Sequence, residues 1–103
     1  MSQVVIEFSA ASVGTPYGTT PILSTDGAQS EEITSSGTSQ ATTMTTDRWD
    51  VASVMNNGSE DIWITFAATP TAVVGTTHFL AAGERRDFGP LTVGYKAAVI
   101  NDS

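Results

Sequence analysis

Cysteine is absent from this chain of 103 residues, so disulfides and thiolate metal sites are excluded. Positive charge is nearly as scarce. Four Lys and Arg stand against eleven Asp and Glu, for a formal net charge of −7. Phosphate backbones and anionic membranes are bound by clustered cations, so neither nucleic acid nor a membrane surface is an expected partner. No run of 18 apolar residues occurs, and nothing is expected to span a bilayer. The opening Met1-Ser2-Gln3 has no basic region, and Val4-Val5-Ile6 is too short for a signal core. The product is therefore expected to remain in the cytoplasm where it is made, unless an assembly carries it out. Charge of either sign is thin, at 15% of residues, against roughly a quarter in ordinary globular domains.

Hydroxyls fill that deficit: there are 16 Thr and 11 Ser. Branched Thr suits the face of a pleated strand, while Ser and Thr compete with helical hydrogen bonding. The length suits one domain with one core. Composition divides the chain unevenly. Residues 9–46 are rich in Ser, Thr, Gly and Ala, whereas 47–101 hold both tryptophans and most of the apolar mass. Neither part could bury a core alone, so residues 1–103 are read as a single domain. Within it, 1–46 are expected to supply peripheral strands and loops, and 47–103 the core hairpins.

Strand signals are short and closely punctuated. Val4, Ile6 and Phe8 alternate against Val5 and Glu7. A brief strand over Pro21–Ser24 precedes the turn dipeptide Asp26-Gly27. The polar tract from Glu31 to Thr46 fits either two weak strands around Ser36-Gly37 or irregular chain. From Arg48 to Met55, Trp49, Val51, Ser53 and Met55 oppose Asp50, Ala52 and Val54. Asn56-Asn57-Gly58-Ser59 follows, and Asn-Gly is a strong hairpin signal. It predicts a hairpin whose return strand, Asp61–Phe66, turns Ile62, Ile64 and Phe66 inward and Trp63 outward. His78-Phe79-Leu80, a tight turn at Ala82-Gly83-Glu84 and a return strand over Arg85–Phe88 come next, broken by Gly89-Pro90. A last strand over Val93–Ile100 is apolar on both sides, so it is expected to be central or covered on both faces. Seven to nine strands without a helix predict an all-β antiparallel sandwich or jelly roll.

Catalytic constellations do not assemble in this reading. His78 is the single histidine, and nothing around any serine resembles a strained nucleophile turn. The acid pairs Glu31-Glu32 and Glu60-Asp61 point to opposite faces if extended. Asn56-Asn57-Gly58-Ser59-Glu60-Asp61 is rich in oxygens without calcium-loop spacing. No enzyme activity, metal or cofactor is expected. The candidate interface residues are Trp63, Arg85, Arg86, His78 and Tyr17. An outward Trp63 could stack on sugar, meet a partner subunit or pack within the chain. Arg85-Arg86, the one basic cluster, could steer an acidic patch or pair with Glu84 and Asp87.

From Asp47-Arg48-Trp49 onward a resemblance enters. The Asn56-Asn57-Gly58-Ser59 turn, Asp61-Ile62-Trp63-Ile64-Thr65-Phe66, Thr69-Pro70-Thr71, Phe79-Leu80-Ala81-Ala82-Gly83-Glu84 and Gly94-Tyr95-Lys96-Ala97-Ala98-Val99-Ile100 together resemble small accessory structural proteins of tailed bacteriophage virions. The resemblance covers about the last half of the chain. It implies a decoration or cement protein on a capsid surface, made in the bacterial host cytoplasm. The implied partners are the major capsid protein and other virion subunits, with copies associating as a homo-oligomer. Tail, fibre-base or connector pieces, and a carbohydrate-binding sandwich, are the alternative readings.

Overall fold

Alternation decides which side of each strand meets the core, and the computed structural model shows where those sides go. It describes residues 2–10, 29–46 and 50–102. Tyr17, Trp49 and the strand expected over Pro21–Ser24 lie outside the described residues. Among those described there are eight strands and no helix: β1 Ser2–Ala10, β2 Gln29–Thr34, β3 Gln40–Ala41, β4 Asp50–Gly58, β5 Ile62–Ala67, β6 His78–Leu80, β7 Arg85–Phe88 and β8 Lys96–Asn101. They form two antiparallel four-stranded sheets, ordered β2-β1-β4-β7 and β3-β8-β5-β6. The chain is an all-β sandwich.

One apolar face of each sheet makes the core. Val4, Ile6 and Phe8 of β1 meet Ile33 of β2 and Ala52 and Val54 of β4. From the second sheet come Ile62 and Ile64, Leu80, and Ala97 and Val99. All but Ile33 are fully buried. Hiding one such Val, Leu, Ile or Phe side chain contributes about 1.5–3 kcal/mol.

The connectivity is a nested hairpin rolled over on itself. β5 pairs with β6, β4 with β7, and β3 with β8, each antiparallel. These pairs, taken from inside outward, alternate between the two sheets. That is the winding of a jelly roll. The strand expected outside β8 in such a spiral would pair with β2 and lie beside β4. β1 occupies that slot, pairing with both. The two ends accordingly meet: the Ser2 N–H donates to Ser35 Oγ at 2.9 Å, and the Ser35 hydroxyl donates to Asn101 Oδ1.

Three expectations are corrected. The first is the hairpin at Asn56–Ser59. β4 and β5 lie in opposite sheets, so the turn is a corner between layers. Asn56, Asn57 and Gly58 still belong to β4, opposite Val4, Gln3 and Ser2. Gly58 serves close approach rather than a left-handed turn, for a Cβ there would stand 2.5 Å from Ser2 Cα. Asn56 is fully buried and clamps the corner, donating through Nδ2 to the carbonyls of Glu60 (2.8 Å) and Leu80 (3.2 Å). The Ala82–Glu84 turn likewise joins β6 to β7 across the layers, with Gly83 at φ 80° and the Glu84 N–H donating to Ala81 O. Second, the N-terminal half is not all peripheral. Among the described residues β2 and β3 are edge strands, but β1 is central, paired through its two backbone edges with β2 and β4. Third, the last strand begins at Lys96, since Val93-Gly94 forms a turn held by Thr46. Its central position, between β3 and β5, agrees with expectation.

Candidate interface surfaces

The expected interface residues separate onto three surfaces. On the free side shared by β6 and β7, His78 and Arg86 lie on the core-facing register of their strands, opposite Ile64 and Val54. Both flank Phe88. The His78 ring is 4.9 Å from Phe88, the Phe66 ring 5.1 Å, and the Arg86 guanidinium 6.0 Å from its centroid. Arg86 also donates to Glu84 Oε2 at 2.7 Å. Glu84 Oε1 accepts from the Ala81 N–H at 2.9 Å. That backbone hydrogen bond, followed by the Arg86 contact, holds the Glu84 carboxyl below its ordinary range.

Arg85 faces the opposite way, as strand alternation requires. It lies on the outer face of the first sheet, donating from Nε to Ser53 Oγ at 3.0 Å and standing 4.0 Å from Asp87.

Trp63 lies on the outer face of the second sheet, opposite Ile100 and Phe79. Its indole N–H donates to Asp102 Oδ1 at 2.9 Å, and Phe79 meets it edge-on at 5.1 Å and 64°. Two rings at that angle do not form a flat platform for a sugar. Trp63 is half-buried, with its polar handle engaged inside the chain.

Sequence reasoning passed over the exposed large apolar side chains of the described residues, Val73, Val74 and Val93. Residues 68–77, between β5 and β6, strap across the outer face of the second sheet. The Ala72 N–H donates to Ser39 Oγ at 2.8 Å, beside β3 on the far edge. At the near end Thr77 donates its hydroxyl to Ile64 O. Ala98, outward-facing on β8 opposite Thr65 and Ala41, is fully buried. On top of the strap a turn closes from the Thr76 N–H to Val73 O, with Gly75 at φ 86°. That turn exposes Val73 by 51% and Val74 by 43%. A second turn, at Gly94 with φ 84°, exposes Val93 by 61%. Neither 68–77 nor 89–95 contains Asp, Glu, Lys, Arg or His. The available signal was the dipeptide Val-Gly at 74–75 and 93–94, where turn chemistry calls for polar residues.

Thr77 has φ 67°. For a branched residue this left-handed conformation is costly, by about 1–3 kcal/mol, and such strain concentrates where loops do work.

Two other acids act as struts. Glu31, on the core-facing register of β2, accepts from the Thr43 N–H and hydroxyl and from the Met44 N–H at 3.0–3.1 Å. It thereby closes the side of the sandwich between β2 and the chain after β3. Asp61 accepts from the Ala82 N–H at 2.9 Å. Among the described residues, no three His, Asp or Glu side chains gather as a metal site would require.

No family model matches the chain, and neither a curated protein nor a solved structure shows significant similarity to it.

Proposed function

We propose that this protein is a structural binding module of a virion, of the capsid decoration type, which docks on an assembled shell and stabilises it. The observation that carries this reading is the strap over residues 68–77. It is an uncharged, Thr- and Val-rich segment pinned across a sheet, displaying Val73 and Val74 on a chain of net charge −7. An exposed apolar turn gives the chain itself no burial, and such surfaces mark sites of contact with other proteins. Val93 adds a second uncharged projection. The partner class, major capsid protein and neighbouring virion subunits, comes from the resemblance of residues 47–101 to accessory phage proteins. The jelly-roll winding is compatible with that role by analogy of fold.

A ligand that binds only the assembled shell stabilises that shell by mass action. Purified protein mixed with mature and precursor capsids of its phage should co-sediment with one of them and raise its melting temperature. Val73→Ser/Val74→Ser should weaken binding about tenfold or more, the loss expected when two apolar contacts leave an interface, without changing the melting of the free protein. Absence of binding to both particles, or binding with no effect on shell melting, would count against the proposal. Binding to a glycan array that disappears with Trp63→Ala would favour the carbohydrate reading instead.

A further inference from the structure

Among the described residues, β2 and β7 are the two outer strands of the first sheet, and no strand pairs with the far edge of either. Unpaired strand edges are templates for another strand, and proteins commonly guard them with charge. Here the guards have opposite signs. β2 carries Glu31 and Glu32, and β7 carries Arg85 and Arg86. Two copies meeting β2 to β2 would bring acids together, and β7 to β7, centred on Arg86, would set Arg86 against Arg86 while each Arg85 meets an Asp87. Meeting β2 to β7 brings unlike charges together.

We infer that the β7 edge of one copy accepts the β2 edge of a second copy, continuing the first sheet from molecule to molecule. Strand direction and facing both agree with it. Because β2, β1, β4 and β7 alternate in direction, a second copy related by translation presents β2 antiparallel to β7. The sequences then fit in one register, with Glu32 opposite Arg85, Glu31 opposite Arg86, Ser30 opposite Asp87 and Gln29 opposite Phe88. Facing agrees as well. Glu31 and Arg86 both lie on the core-facing register, opposite Ile6 and Val54, while Glu32 and Arg85 both face outward. A slip of one residue would set core-facing positions against outward ones.

Glu31 is already held by Thr43 and Met44, and Arg86 by Glu84. Arg85 donates through Nε to Ser53 and stands 4.0 Å from Asp87; the register adds Glu32 opposite it on the outer face, and Ser30 meets Asp87 as a neutral hydrogen-bonding neighbour. Such a joint is heterologous, so repeated use gives a ring or an open row rather than a closed dimer. A four-residue ladder is short, so the joint between free copies is weak. It strengthens where copies are already held close, because the second contact is then made at high effective concentration. The inference is independent of what surface the protein decorates.

Charge reversal tests it. Sedimentation velocity of the wild-type chain, at low ionic strength and at concentrations up to about 1 mM, should show a sedimentation coefficient that rises with concentration. In about 1 M salt, where the Debye length falls to about 3 Å, that rise should vanish. Glu32→Arg alone and Arg85→Glu alone should each weaken self-association about tenfold or more, since attraction becomes repulsion at one cross-strand pair. Mixing the two variants should restore a mixed association, because the altered edge of each then fits the altered edge of the other. A second measurement uses the absence of native cysteine. Under mild oxidation, a mixture of Glu32→Cys and Arg85→Cys chains should form the mixed disulfide in excess over either homodimer. No self-association, self-association indifferent to both reversals, or a mixture no stronger than its components overturns the inference. Unchanged far-ultraviolet circular dichroism and melting of each variant keep misfolding apart from a failed joint.

Discussion

At the residue scale, single atoms decide how closely neighbouring strands approach. Gly58 ends β4 opposite Ser2 of its neighbour β1, and an added methyl would stand 2.5 Å from Ser2 Cα, 2.6 Å from its Oγ and 2.7 Å from its Cβ. Backbone cannot move aside as a flexible side chain can. Gly58→Ala should destabilise by about 1–3 kcal/mol, the usual cost of overpacking, measured by urea denaturation. It should also disturb the pair of bonds by which Ser2 Oγ donates to Glu60 O and accepts from Glu60 N–H. Glu84 gives a pH-dependent case. Its carboxyl titrates below the ordinary value of 4.5 in the folded chain, chiefly because it accepts from Ala81 N–H and then because it meets Arg86. A depressed carboxyl stabilises the folded state fully above its unfolded value and loses that contribution as pH falls through the folded one. The stability difference between wild type and Glu84→Gln should therefore be constant near neutrality and shrink as pH drops below about 4.5. Thermal melts across that range check it. The ion pair of Glu84 was legible in the sequence, but its bond from the Ala81 N–H and the close approach at Gly58 were not. Gly58 looked like half of a turn dipeptide, and Glu84 like one end of a surface ion pair.

At the element scale, facing was legible and neighbours were not. The alternation of Val4, Ile6 and Phe8, and that of Ile62 and Ile64, named the buried side of each strand correctly. Two strands with matching apolar faces can lie side by side in one sheet or face each other across a core, and period two is the same in both cases. This is why Asn56–Ser59 reads as a hairpin while the structure uses it to change sheets. The deciding interactions are distant in sequence: Ser2 against Gly58, and Asn56 reaching Leu80. Core and strap should separate cleanly under mutation. Ile64→Ala removes a fully buried side chain at the centre of β5 and should cost about 2–5 kcal/mol. Val74→Ser, on the exposed turn, should change stability by less than about 0.5 kcal/mol, with chemical denaturation as the common measure.

At the scale of the whole molecule, β1 is the strand whose place in sequence and place in space differ most. It begins the chain yet fills the slot after β8 in the spiral, and Ser2, Ser35 and Asn101 meet there. A permuted chain in which a short Gly/Ser linker joins Asp102 to Ser2, opened within the segment between β1 and β2, should fold to the same sandwich. Circular dichroism and a cooperative melt near that of the parent are the expected outcome, and a chain lacking cooperative unfolding would contradict the nested-hairpin topology. Charge is also distributed at this scale. The exposed strap and the Gly94 turn carry no ionised side chain, while Glu31 and Glu32 sit on one outer strand of the first sheet and Arg85 and Arg86, with Asp87, on the other. The proposed docking and lateral joining would thus use different surfaces of the same sandwich.

The sequence by itself determined that the chain is all-β, because hydroxyl-rich composition and period-two alternation leave no helical face. It also determined the buried side of β1 and β5, that β8 is central, and that Arg85 and Arg86 must diverge. Only the tertiary structure decided which strand lies beside which, that the Asn56–Ser59 turn joins two layers, and that residues 68–77 cross the outer face of β8 to leave Val73 and Val74 in solvent. The physical reason is range. Alternation and turn propensity are properties of neighbours along the chain, whereas sheet order and strap placement depend on contacts such as Ser2 with Glu60 and Ala72 with Ser39, which no local pattern records.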